Sequence, residues 1–279
     1  MAQLFQQGTY LNNPQGPTIP LVEHNTSLDK LRDNPRMPAD QMYPKILEYL
    51  TLAETYLSDY TPTGISDISL NAVHGQMARV YLITGQWPKA EEYAKKAQTG
   101  REALTEAQWK DKQNGFNNPT SQKSWIWCLT YTSDDDAVKG QLYNWMNQMS
   151  TETNMDSYSH WDSNVKMIDA HLYSQIPTTD WRRESWVSPT NEYPVNSDSP
   201  VKDKIPAYTN IKFRPGQGNY TDYLVAHAIS IPLMRMEEMM LIEAEAAGRQ
   251  TLANGIMLLE TFGKLRNPAD TIKATKPSD

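Results

Sequence analysis

The run from Ser69 to Gln98, SLNAVHGQMARVYLITGQWPKAEEYAKKAQ, constrains the chain more than any other, because it reads as two helices folded back on each other around a glycine. Leu70, Val73, Met77, Val80 and Tyr81 recur at spacings of three and four, so they share one helical face. Gly85 ends that helix, since glycine enters the left-handed conformation of a helix C-terminus without steric penalty. Pro88 suits the first turn of the next helix, whose stripe is Ala90, Tyr93, Ala94 and Ala97. Small residues there allow the two helices to approach closely.

The layout resembles one tetratricopeptide unit, with Gly85, Trp87, Ala90 and Ala97 in matching places and His74 where that pattern has an aromatic. One unit cannot bury both faces, so a second is expected. Residues 231–250, IPLMRMEEMMLIEAEAAGRQ, read as a helix ending at Gly248, and another follows from about Thr251 to Leu265. Gly248 and Ala253 repeat the interval between Gly85 and Ala90. Met42 to Leu57 is a further amphipathic helix, with Pro44 near its start. The hairpin is expected to pack on this helix, with the Arg235 helix in the same layer.

Between these segments the character changes. From about Thr105 to Ala228, turn residues, aromatics and short apolar runs replace long periodic segments; Ser124 to Thr132 reads as a strand and Lys166 to Tyr173 as a short helix. Long loops in a compact domain are usually functional, which places the binding surface here. The expected organisation is one domain over 1–279: a helical-repeat part at 1–104, a loop-rich ligand-binding part at 105–228, a C-terminal helix pair at 229–268 and a tail at 269–279. The fold class is mainly α, a tetratricopeptide-like scaffold with long irregular loops and a few short strands.

Several function classes lack the residues they need. A net charge of -7 with no basic run disfavours nucleic acid. Cys128, alone and flanked by apolar residues, reads as a buried structural thiol. His24, His74, His160, His171 and His227 are scattered, and neither a nucleophile elbow nor a phosphate loop occurs. Asp134, Asp135 and Asp136 lack calcium-loop spacing and read as a solvated turn. Glu238 and Glu245 share a helical face but lie about 10 Å apart, at or beyond the range of a glycosidase pair. Arg235, one turn from Glu238, is expected to pair with it and position the helix. No catalytic residue and no cofactor is expected.

Aromatic usage points to binding. The chain has 8 Trp and 15 Tyr against 4 Phe, favouring rings with an apolar face and a polar edge. A sugar presents C–H groups on its faces and hydroxyls at its rim, so such rings stack on it while Asp, Asn, Gln and Arg bond the rim. Residues 134–162 mix Tyr143, Trp145, Tyr158 and Trp161 with Asn144, Asn147, Asn154 and Asp156. The expectation is that Tyr143 and Trp145 stack a sugar and Asn147 bonds its hydroxyls, with Tyr158 and Trp161 beside them; the alternative is that these aromatics pin the loop to the scaffold.

Arg235, Glu238, Leu241, Ala244, Glu245 and Ala246 form an R-x-x-E-x-x-L-x-x-A-E-A helix similar to that of the SusD/RagB family of Bacteroidetes surface lipoproteins. Three further regions follow in the family's order: Pro17 to Leu21, Ala78 to Ala90 with Gly85, and Asp180 to Arg182. The resemblance implies a non-catalytic protein on the outer membrane that captures oligosaccharides or other nutrients for a TonB-dependent, SusC-like transporter, with membrane attachment only through a lipid anchor absent from this chain. Family members are roughly twice as long, so the chain reads as an internal portion of a longer protein. A helical-repeat scaffold that binds peptide or protein is the alternative reading.

Overall fold

The computed structural model describes residues 1–111, 113, 115–117, 122–140, 145–149, 152, 165–190, 203 and 205–272. Its scaffold is the expected hairpin. Ser69 caps the helix Leu70–Ile83 by accepting a hydrogen bond from the Ala72 amide. At the other end Gly85 has φ +73°, its amide donates to the Leu82 carbonyl, and the Gln86 amide donates to Tyr81. That pair of bonds satisfies two carbonyls the helix leaves open, which is what the glycine is for. The second helix, Trp87–Ala97, buries Ala90, Ala94 and Ala97 completely against the first. Asn71 donates to the carbonyls of Ala97 and Thr99, closing the far end of the hairpin.

Helix Ala39–Tyr56 packs on Leu70–Ile83, and helix Met236–Gln250 packs on Trp87–Ala97 as well as on the last helix, so the anticipated layer exists. The Ala39 helix begins a turn earlier than Pro44 suggests; Pro44 lies inside it, and the helix starts where the chain leaves a short strand at Pro38. β2 (Arg36–Pro38) pairs antiparallel with β1 (Pro17–Pro20).

Two expectations for the C-terminal part are corrected. Residues Ile231–Arg235 are a strand, β4, paired antiparallel with β3 (Trp125–Leu129), and the helix begins only at Met236. Pro232 withholds an amide from a helix, and β3 offers the competing partner. Nor does Gly248 end the helix, which runs to Gln250. Gly248 instead faces Gly255 of the last helix, Leu252–Lys264, with a β-carbon on Gly255 falling 2.8 Å from the Gly248 nitrogen. Its role is close helix approach, so it does not repeat the turn function of Gly85.

The expected Arg235–Glu238 pair is also corrected. Glu238 is held by Arg79 of the hairpin, with Nε–Oε1 at 2.5 Å and Nη2–Oε2 at 2.6 Å, whereas Arg235 lies 3.3 Å from Glu237. Arg235 ends a strand, so its side chain does not follow the helical spacing that would bring it over Glu238. Glu245 pairs with Arg249 at 3.3 Å on an exposed face.

Glu237, 3% exposed, joins four parts of the chain. It accepts from the Leu104 amide at 2.9 Å, the Ser124 hydroxyl at 2.7 Å and the Arg266 guanidinium at 3.0 Å, beside Arg235. Burial pushes its carboxyl upward, but Arg235 and these donors outweigh that and hold it below the ordinary range. Cys128 is buried as expected, and burial raises its thiol to about 11.

Candidate functional site

The loop-rich part frames a cavity of about 280 Å³ beside β4, lined by Tyr131, Asp136, Val138, Trp145, Met146 and His227 among others. Each wall has a local cause. Asp135 folds the turn before it by accepting from the Thr132 amide at 2.6 Å and hydroxyl at 3.0 Å, and helix Asp136–Lys139 follows. Asp222 caps the short helix Tyr223–His227 through the Leu224 amide, and that helix brings His227 to the cavity lining. Helix Trp145–Met149 supplies Trp145 and the buried Met146.

Trp145 pins its loop to the scaffold and also lines the cavity. It meets Phe213 edge-to-face at 4.9 Å and 86°, and Phe213 continues through Phe116 to Trp125 of β3. This aromatic chain fastens the loop to the sheet, and the same indole lines the cavity. Of the other residues expected to bind, Tyr143, Tyr158 and Trp161 lie outside the described residues, as does the side chain of Asn147. Tyr131, Asp136 and His227 were not anticipated as lining residues. In the sequence Asp136 reads only as part of an acidic turn, and His227 only as a scattered histidine.

With Asp135 occupied by Thr132, the acidic run folds a turn, and no group of three metal-ligating side chains occurs among the described residues. His74, on the scaffold, accepts or donates a 3.0 Å hydrogen bond with Glu54 and packs edge-to-face on Tyr93, a packing role.

A second cavity of about 560 Å³ lies between the loops and the C-terminal helices. Its lining includes Trp109, Trp181, Trp186, Lys212, Arg235 and Arg266. Asp180 positions this wall by accepting from the Arg182 amide at 2.9 Å and pairing with its guanidinium at 2.6 Å. The Trp181 indole donates to the Leu265 carbonyl at 3.0 Å. No helix among the described residues is long and apolar enough to cross a membrane.

The architecture is shared with solved structures. A SusD-like carbohydrate binding protein from Bacteroides vulgatus ATCC 8482 superposes with TM-score 0.74 at 21% identity, over 98% of this chain and 53% of that one. A SusD superfamily protein from the same organism gives 0.69 at 18% identity, over 96% and 56%. A laminarin-binding SusD-like protein gives 0.62 at 16% identity, over 89% and 58%. The chain thus spans about half the length of these structures. No family model and no curated protein sequence matches it.

Proposed function

Starting from a chain with the SusD-like fold, we propose that it is a non-catalytic binding protein that captures oligosaccharides or polysaccharides at the cell surface for a TonB-dependent outer-membrane transporter. The observation that supports this reading is the cavity at Trp145. It combines an indole and a phenol, suited to the C–H faces of a sugar, with the Asp136 carboxylate and the His227 imidazole, suited to its hydroxyls. Its size is at the lower end of ligand pockets, which fits one ring or the end of a chain. The SusC-like partner, the outer-membrane location and the lipid anchor are part of this proposal, made for the whole protein and supported by the resemblance of the fold.

Intrinsic tryptophan fluorescence against a panel of soluble polysaccharides that includes laminarin, with a peptide mixture in parallel, tests it. A saturable change with a glycan, lost in Trp145→Ala, is the expected result. A saturable change with peptides alone would replace glycan capture with peptide capture; glycan binding unchanged in Trp145→Ala would remove this cavity as the site.

A further inference from the structure

The second cavity is charged in a way the first is not. Three cations on its lining, Lys212, Arg235 and Arg266, have one buried carboxylate near them, Glu237. The other charges are spoken for elsewhere, Arg182 by Asp180 and Glu238 by Arg79. Lys212 has no carboxylate and no hydrogen-bond acceptor for its ammonium among the described residues; it lies over the Phe116 ring at 4.2 Å. A surplus of positive charge in a partly desolvated cavity is costly unless an anion joins it.

The aromatic walls divide into those already engaged and one that is open. Arg266 covers the Trp181 ring at 5.0 Å, Arg214 covers Trp109 at 5.0 Å, and Arg235 and Lys212 cover Phe116. Trp186 lines the same cavity with no ring or cation partner among the described residues. An open indole in the same cavity as an unneutralised ammonium suits a ligand with a sugar face and an anionic substituent.

We propose that this cavity receives an acidic saccharide, a hexuronate unit whose carboxylate is held by Lys212 with Arg235 and whose ring lies on Trp186. The neutral saccharides expected at the Trp145 cavity leave the cations of this one unsatisfied, so the two cavities select different chemistry. Burial and the neighbouring Arg235 already depress the Lys212 ammonium to about 8, and an arriving carboxylate offsets the charge of Arg235 and favours the ammonium form.

Calorimetric titration of this chain at low ionic strength with glucuronate and galacturonate, against glucose, galactose, acetate and triglutamate, decides the matter. Saturable uronate binding, at least about tenfold tighter than that of the neutral sugars or acetate, is expected. Lys212→Met is expected to weaken it by about tenfold or more, with Lys212→Arg retaining it. Absence of uronate binding, equal binding of glucose, or indifference to Lys212→Met would overturn the proposal. Acetate as tight as uronate would reduce the site to an anion hole without sugar recognition, and tighter triglutamate would make it a peptide site; either result also overturns it. Neutral-glycan binding and uronate binding are read separately in these titrations, so failure at the first cavity is distinguishable from failure here. Thermal unfolding of the Lys212 variants at or above the wild-type Tm would separate lost binding from lost fold.

Discussion

The Arg79 guanidinium grips the Glu238 carboxylate with two parallel hydrogen bonds, joining the repeat hairpin to a helix 159 residues further along the chain. Arg79 Nη2 also donates to the Leu233 carbonyl at 2.9 Å, so one side chain fixes both β4 and the start of the helix after it.

This bidentate pair is expected to couple measurably. Both side chains are partly exposed, which reduces its strength through solvent screening, and a coupling of about 1 kcal/mol is expected. Urea unfolding of Arg79→Met, Glu238→Gln and the double variant gives the cycle. Simple additivity would mean that the two residues act independently.

Glu237→Gln should be far more damaging than Glu238→Gln. The amide would turn a donor toward guanidinium groups in a buried site, with an expected loss on the order of 3 kcal/mol. The carboxyl is held below its ordinary value, so the native state binds fewer protons than the unfolded chain in acid. Its stabilisation is complete above the unfolded value of about 4.3 and disappears as pH falls through the native one. Unfolding measured from neutral to acid pH should show the difference between wild type and Glu237→Gln shrinking accordingly.

Gly255→Ala should destabilise the protein although alanine is the better helix former by about 1 kcal/mol. The added β-carbon meets the Gly248 backbone, which cannot move aside as a flexible side chain would. Overpacking of this kind costs about 1–3 kcal/mol, and a lowered Tm is the readout. A raised Tm would mean that the helices separate freely.

Lys212 titrates at about 8, well below its ordinary 10.5. Between those values the unfolded chain holds more protons than the native one, so this group's contribution to stability rises with pH. Lys212→Met should therefore be the more stable protein at pH 7, by on the order of 1 kcal/mol, with the advantage lost by pH 10 to 11. Urea unfolding at both pH values checks the sign.

The local period of the chain carried much of the scaffold. Val73, Met77, Ala90 and Ala94 line the buried faces that their spacing predicts, and Gly85 turns where a left-handed residue is needed. The candidate site was legible only in part. Trp145 stands out as an aromatic in a polar loop, whereas Tyr131, Asp136 and His227 come from separate segments whose convergence has no local signature. Lys212 is likewise an ordinary lysine in the sequence, and its neighbours Arg235 and Arg266 come from elements that fold up around it.

What the sequence by itself determined was periodic and near-neighbour: the repeat hairpin, the last helix pair and the resemblance carried by Arg235, Glu238, Leu241 and Ala244. Tertiary structure alone decided whether residues 231–235 are strand or helix, because β3 competes for their backbone. It also decided that Glu238 answers to Arg79 and Glu237 to Arg266. Helical spacing is set by bonds four residues apart, whereas the partner of a charge depends on which distant segment the core brings within about 3 Å.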